Sequence, residues 1–217
     1  MAREGRPFIG GFLLLAFLFW LAAEHLHFAL VYPASLCGLL GLFMIFFFRD
    51  PDRTAPVGDG LVVAAADGKI VSIEEVEEGE YTEYLGGAAI QISTFLSVFD
   101  VHVNRIPFAG VVDFVRWQQG RFHAAFLAAA STENEQSIIG IHQGESRIIV
   151  KQIAGILARR IVCYLQSDDA VHLGNRFGLI RFGSRVDLIL PARADLRVQL
   201  GDQVRAGETV IGVLEDV

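Results

Sequence analysis

The sequence predicts an N-terminal membrane helical hairpin followed by a mainly β domain, barrel- or sandwich-hybrid-like, with short helices. Three observations predict it. From Phe8 to Phe48 the only acidic, basic or histidine side chains are Glu24, His25 and His27. From Thr54 onward, short β-favouring runs alternate with glycine-containing turns. The chain as a whole has 217 residues, 53% hydrophobic and 20% charged, which is ample apolar surface to offset chain entropy and excludes disorder. The expected units are an anchor over 1–53 and a domain over 54–217.

The anchor reads as two apolar runs, Phe8–Ala23 and Phe28–Phe48, with Glu24, His25, Leu26 and His27 between them. A helix needs roughly 20 apolar residues to cross a bilayer core. The second run meets that length, and the first does so if its ends snorkel or the bilayer thins. A signal peptide is the competing reading, because Arg3 and Arg6 precede an apolar stretch. The direct passage into a second, longer run argues against it. A buried core hairpin is the other alternative. Arg3 and Arg6 lie before the first run, Arg49 and Arg53 follow the second, and the connection holds no Lys or Arg. The positive-inside rule then places both ends, and the domain, on the cytoplasmic side of an inner membrane.

Charge and cysteine usage narrow the function classes. Residues 1–53 carry four arginines and four acidic side chains, so the net charge of −7 belongs to the rest of the chain. An acidic domain is not held on an anionic leaflet by electrostatics, so the hairpin must hold it. Nucleic acid, which needs a basic patch, is excluded as a partner. Cys37 lies inside the second apolar run and Cys163 far from it, so no disulfide framework is expected.

In the domain, strands are expected over 61–64, 69–73, 88–92, 147–153, 161–165, 179–182 and 186–190. The Asp67–Gly68 step between the first two is a turn signal. The best helical stretch is Ala124–Ala130. The tail from Gly201 to Gly212 reads as turn, strand, turn, strand, and its likeness to the region of Asp67–Gly68 hints at an internal duplication. Short strands punctuated by glycine argue for a barrel or sandwich.

No P-loop, dinucleotide fingerprint, His-Glu-x-x-His or Cys-x-x-Cys occurs, and the six histidines are scattered, so no metal is expected. Two stretches remain. Phe99–Pro107 crowds Asp100, His102, Asn104 and Arg105 into apolar surroundings. Ile180–Leu188 sets a Gly183–Ser184 step between two apparent strands. A satisfied core histidine and an ordinary turn are the plain readings of each taken alone.

Taken together with the anchor, these stretches resemble the phosphatidylserine decarboxylases of the short, membrane-anchored type. The resemblance runs in order through Phe47–Arg53, Ala65–Ile70, Asp100–Arg105, Gln152–Gly155, Ala158–Ile161, Arg176–Asp187 and Val204–Val210. It implies a pyruvate cofactor, a pyruvoyl group that the chain makes from Ser184 by cleaving itself between Gly183 and Ser184. The large chain 1–183 and the small chain 184–217 would stay associated. A pyruvoyl ketone takes up the amine of a serine headgroup as a Schiff base and accepts the electrons left when carbon dioxide departs, the work pyridoxal phosphate does elsewhere. Phosphatidylserine in the membrane would be the substrate and phosphatidylethanolamine the product.

Ser184 needs a base to become a competent nucleophile. The family's Asp–His–Ser arrangement maps onto Asp67, His102 and Ser184, with Asp67 orienting His102. Where longer relatives carry a second histidine, this sequence has Arg105, which cannot take up a proton. Either His102 serves both processing and carbon protonation, which is the expectation, or the processing base is another residue. Arginine forks suit the phosphate and carboxylate of the substrate, and Arg105, Arg159, Arg160, Arg181 and Arg185 are the candidates, Arg105 first. Phe95, Leu96, Val98 and Phe99 could form an apolar lip toward the lipid or simply core. Two rivals stand beside this reading. One is a decarboxylase of another serine-headgroup lipid such as archaetidylserine. The other is a non-enzymatic biotinyl/lipoyl-like adaptor, which would have no use for Gly183–Ser184. A homo-oligomer stays open.

Overall fold

The computed structural model describes residues 1–125, 127, 129–155, 160–181 and 183–214. They form two compact units, Met1–Pro51 and Asp52–Val217.

The first unit is helical. After a 3-10 turn over Arg3–Gly5 comes α1 (Arg6–His25), with Pro7 in its first turn, where a missing N–H costs nothing. His27 turns the chain by accepting the Ala29 N–H on Nδ1 at 3.1 Å, and α2 (Val31–Phe47) follows a short 3-10 turn. Gly41 lets the helices approach, since a side chain there would press on Leu13. Phe8 stacks on Phe48 at the open end, with ring centroids 5.8 Å apart. Leu14, Phe17, Trp20, Leu39 and Leu42 are all exposed. That outward apolar surface does not suit a buried core hairpin, and both helices are long and apolar enough to cross a membrane.

The second unit is mainly β. Its first half contains β1 (Leu61–Val63), β2 (Gly68–Val76), α3 (Glu80–Leu85), β3 (Ala89–Leu96), β4 (Val103–Arg105) and β5 (Gly110–Gln118). Next come α4 (Ala130–Glu133), β6 (Gln136–Gln143), β7 (Ser146–Ile153), β8 (Ile161–Cys163) and β9 (Ala170–Val171). The last part holds β10 (Arg176–Ile180), β11 (Ser184–Pro191), β12 (Asp195–Leu196), β13 (Gln203–Val204) and β14 (Val210–Val213). One sheet has the order β13-β2-β3-β11-β7-β6-β5-β9, and two smaller ones run β1-β14-β12 and β4-β10-β8. Every ladder between named strands is antiparallel. The large sheet is a curled half-barrel, with β13 and β9 at its edges, in keeping with the barrel- or sandwich-hybrid expectation. One core joins the sheets, with Ile70, Ile92, Val150, Phe177, Val186 and Leu188 among its buried members.

Several expectations change. The strands on either side of Asp67–Gly68 do not pair with each other: β1 pairs with β14, and β2 with β13 and β3. The two half-motifs thought to hint at duplication are thus partners across two ladders. The helix expected over 124–130 begins only at Ala130, and two of its residues, Phe126 and Ala128, lie outside the described ones. The Asn134 side chain accepts the His123 N–H at 2.8 Å and donates to the His123 carbonyl at 2.9 Å, fixing the chain just before this stretch. Phe182, the end of an expected strand, also lies outside the described residues.

Candidate active site

β11 is the central strand of the site, paired with β3 along its whole length and with β7 over Arg185–Ile189. Alternation along it sends Val186, Leu188 and Leu190 into the core. Ser184 shares their register. It is fully buried, opposite Leu96, and among the described residues its Oγ has no hydrogen-bond partner. Leaving a buried hydroxyl unmatched costs on the order of 1–3 kcal/mol. A group kept so against that cost points to reactivity. Gly183, just before it, has φ +69°, in the left-handed region where glycine carries no Cβ penalty.

His102 stands on the loop between β3 and β4 and is 2% exposed. Its Nδ1 lies 2.9 Å from the Asp100 carbonyl oxygen. A carbonyl only accepts, so Nδ1 carries the proton and Nε2 the lone pair. That Nε2 receives the Gly183 N–H at 3.5 Å, at the long limit of a hydrogen bond. The imidazole lone pair therefore lies beside the Gly183–Ser184 segment. Asp100 is itself fixed, because its Oδ2 accepts from Ser97 N–H at 2.8 Å and Ser97 Oγ at 2.6 Å. Sequence reasoning missed this role of Ser97 and Asp100, although a serine three residues before an aspartate is a legible turn signal.

Asp67, expected to orient His102, engages Arg53 and Ala206. Both its oxygens are held by the fork of Arg53, at 2.5 and 2.7 Å, and Oδ1 also accepts the Ala206 N–H at 2.9 Å. Arg53 closes the triangle by donating to the Ala206 carbonyl at 2.7 Å. The Arg53 fork grips the carboxylate bidentately, and the backbone carbonyl of Asp100 takes the imidazole N–H. Arg53, read from sequence only as a basic flank, is thus part of the domain. Asp67 still adjoins the site through backbone pairing, since the Ala65 carbonyl accepts the Arg105 N–H at 2.9 Å beside β4.

The candidate substrate arginines divide. Arg105 is 4% exposed and donates to the Gly174 carbonyl at 2.9 Å. Arg185 is buried on the other face of β11, donating Nε to Asp187 and Nη2 to Ser93, each at 2.6 Å, which removes it as a free fork. Arg181 is half-buried, Arg160 is exposed, and Arg159 lies outside the described residues. Of the proposed lip, Leu96 is core while Phe99 is 68% exposed.

Two buried amides tie the site strands together. Gln152 accepts Ser137 Oγ at 2.7 Å and donates to Asn104 Oδ1 at 2.8 Å and the Val162 carbonyl at 3.3 Å, joining β7 to β6, β4 and β8. Asn104 Nδ2, two residues from His102, is buried with no partner among the described residues. On the face with Arg185 a cleft of about 460 Å³ opens over Gln91, Ser131 and Lys151. Lys151 donates to the Ser131 carbonyl at 2.8 Å, and burial pushes its pKa down, opposed by the neighbouring Asp187.

The fold and the site together define a class: a β domain carrying a helical hairpin, with a buried serine hydroxyl unmatched among the described residues and a histidine lone pair beside the peptide segment before it. The chain belongs to the phosphatidylserine decarboxylase family, whose model matches residues 40–212. It is 47% identical over 215 residues to the phosphatidylserine decarboxylase proenzyme of Symbiobacterium thermophilum, covering 99% of this chain and 95% of that one. The proenzyme of the same name from Desulfotalea psychrophila is 43% identical, over 98% and 95% of the two chains. That from Citrifermentans bemidjiense is 42% identical, over 99% and 96%.

Proposed function

We propose that this chain decarboxylates phosphatidylserine to phosphatidylethanolamine, using a pyruvoyl group that it makes from its own Ser184. The observation that carries the reading is the unmatched, fully buried Ser184 Oγ directly after a left-handed Gly183, with His102 Nε2 at the Gly183 N–H. The name of the relatives, proenzyme, supports a chain that matures by processing.

In self-cleavage, His102 Nε2 takes the Ser184 hydroxyl proton as Oγ attacks the Gly183 carbonyl carbon, and the amide becomes an ester. Removal of the Ser184 α-proton then expels Gly183 as a carboxylate, taking Oγ with it. The dehydroalanine left at 184 tautomerises, and water releases ammonia to leave the ketone. The residues present fit that group, because the atom that becomes the ketone carbon starts in a buried site free of competing hydrogen bonds to Oγ. The pyruvoyl group supplies a ketone that takes up the headgroup amine and withdraws the electron pair left by carbon dioxide. His102 holds the proton that carbon needs afterwards. The exposed Phe99, on the His102 loop, gives an apolar contact for lipid, and the hairpin keeps the domain at the substrate's own membrane.

The test is the intact mass of the freshly made protein. Wild type should appear as two pieces meeting at 183/184, and Ser184→Ala as one inactive chain of 23.8 kDa. His102→Ala should slow cleavage by roughly 10²-fold or more, the range of general-base catalysis. A Ser184→Ala protein that still decarboxylates lipid, or an active wild type that stays whole, overturns the reading.

A further inference from the structure

The Gln152–Gly155 stretch carries one of the family's motifs, and its last residue has no role in the chemistry above. Its position gives it one. A Cβ built on Gly155 would lie 2.3 Å from the Gly183 carbonyl oxygen and 3.4 Å from the carbonyl carbon. A Cβ on Gly183 itself would meet nothing within 4 Å. The two glycines thus serve different ends: Gly183 allows a left-handed turn, and Gly155 leaves space. That space is filled by the carbonyl that Ser184 would attack.

We propose that Gly155 is the seat of the Gly183 carbonyl, a positioning residue for self-cleavage. The proposal rests on the self-cleavage reading and concerns its first step. The seat is rigid because the residue before it is held at both ends. The Ala154 N–H donates to the Glu135 carbonyl at 2.9 Å, and the Ala154 carbonyl accepts from Asn134 Nδ2 at 2.8 Å. Asn134 is fully buried, and its other side-chain bonds clamp both backbone groups of His123. Its amide therefore uses both N–H groups and its oxygen. A methyl at position 155 would meet a backbone oxygen, which has no rotamer to yield with. Either the Gly183 carbonyl turns off the line of Oγ attack, or the end of β7 moves against the Asn134 clamp. A misplacement of about 1 Å at a reacting centre costs on the order of 10²-fold in rate.

The experiment follows cleavage of the full chain, synthesised cell-free with liposomes, by gel and intact mass against time. Gly155→Ala should cut the first-order cleavage rate by about 10²-fold. Hydroxylamine, which traps an ester at Gly183 as a hydroxamate, should yield hydroxamate from Gly155→Ala about 10²-fold more slowly than from wild type, because attack itself is slowed. The cooperative unfolding of the Gly155→Ala precursor should match that of Ser184→Ala, a comparison that a purely structural role would not survive. If Gly155→Ala does not unfold cooperatively, Asn134→Ser decides instead: it deletes the clamp on Ala154 without adding volume and should slow cleavage by about tenfold, less than a full misplacement. Cleavage of Gly155→Ala at the wild-type rate, hydroxamate release from it at the wild-type rate, or in the fallback an unchanged rate in Asn134→Ser, overturns the proposal. A wild-type chain that never cleaves defeats the underlying reading instead.

Discussion

At the scale of single residues, the site depends on which polar groups are matched and which are left over. Ser184 Oγ and Asn104 Nδ2 are left over among the described residues, one next in sequence to the Gly183 N–H that meets His102 and the other two residues after His102. Asp67 is the opposite case, a carboxylate with every oxygen engaged. Its partner Arg53 is 6% exposed at the side chain and Asp67 12%, so this is an ion pair largely withdrawn from water. Removing one member of such a pair strands the other, which costs about 3–5 kcal/mol. Arg53→Met in the uncleaved Ser184→Ala chain should therefore lower the stability of the domain by that order, read from urea unfolding in detergent. Arg53→Lys should fall between, since it keeps the charge and loses the fork. A loss below about 1 kcal/mol for Arg53→Met, the worth of an exposed pair, would show that the pair does not hold Asp67.

At the scale of elements, the sequence made the strands legible where apolar and β-branched residues run together, as at Arg147–Ile153 and Val186–Leu190, now within β7 and β11. It hid β5, which is half exposed and ends in Arg116, Trp117 and Gln118, because a strand buried on one side only in part lacks a clean period of two. It hid β4 as well: three buried residues including Asn104 and Arg105 owe their conformation to β10 and to the Ala65 carbonyl, not to local propensity. In the site, Ser184 and His102 were legible as residues, but their orienting partners were not. A backbone carbonyl such as that of Asp100, or a seat such as Gly155, leaves no side-chain signature. The position of β11 has a consequence for the cleaved state. It lies between β3 and β7, and the later strands β13 and β14 pair with β2 and β1, so the piece from Ser184 onward is laced into two of the three sheets. The two pieces of the proposed mature form should co-purify through a tag on either one, and separate only when urea unfolds the domain. Separation in gentle detergent without denaturant would contradict this.

At the scale of the whole molecule, the anchor must do work that the domain's charge cannot. With −7 carried beyond residue 53, an anionic leaflet would repel the domain, and attachment would fall to the two apolar helices. A 20-residue α1 rises about 30 Å, the thickness of a bilayer core, and α2 with its preceding 3-10 turn is of similar length. Two spans return the chain to the side on which it began. Arg3 and Arg6 precede the first span and Arg49 follows the second, whereas Glu24, His25 and His27 lie at the connection. Arg53, paired with Asp67, adds little to this bias. On the bias of the three remaining arginines, we propose that both ends lie on the cytoplasmic side. Protease added to intact spheroplasts should therefore spare residues 54–217, and should digest them once the membrane is permeabilised. A tag placed between Glu24 and Phe28 should show the reverse, reachable from outside without permeabilisation. Digestion of the domain in intact spheroplasts would reverse the orientation, and protection of both tag and domain would mean that the hairpin enters the bilayer without crossing it.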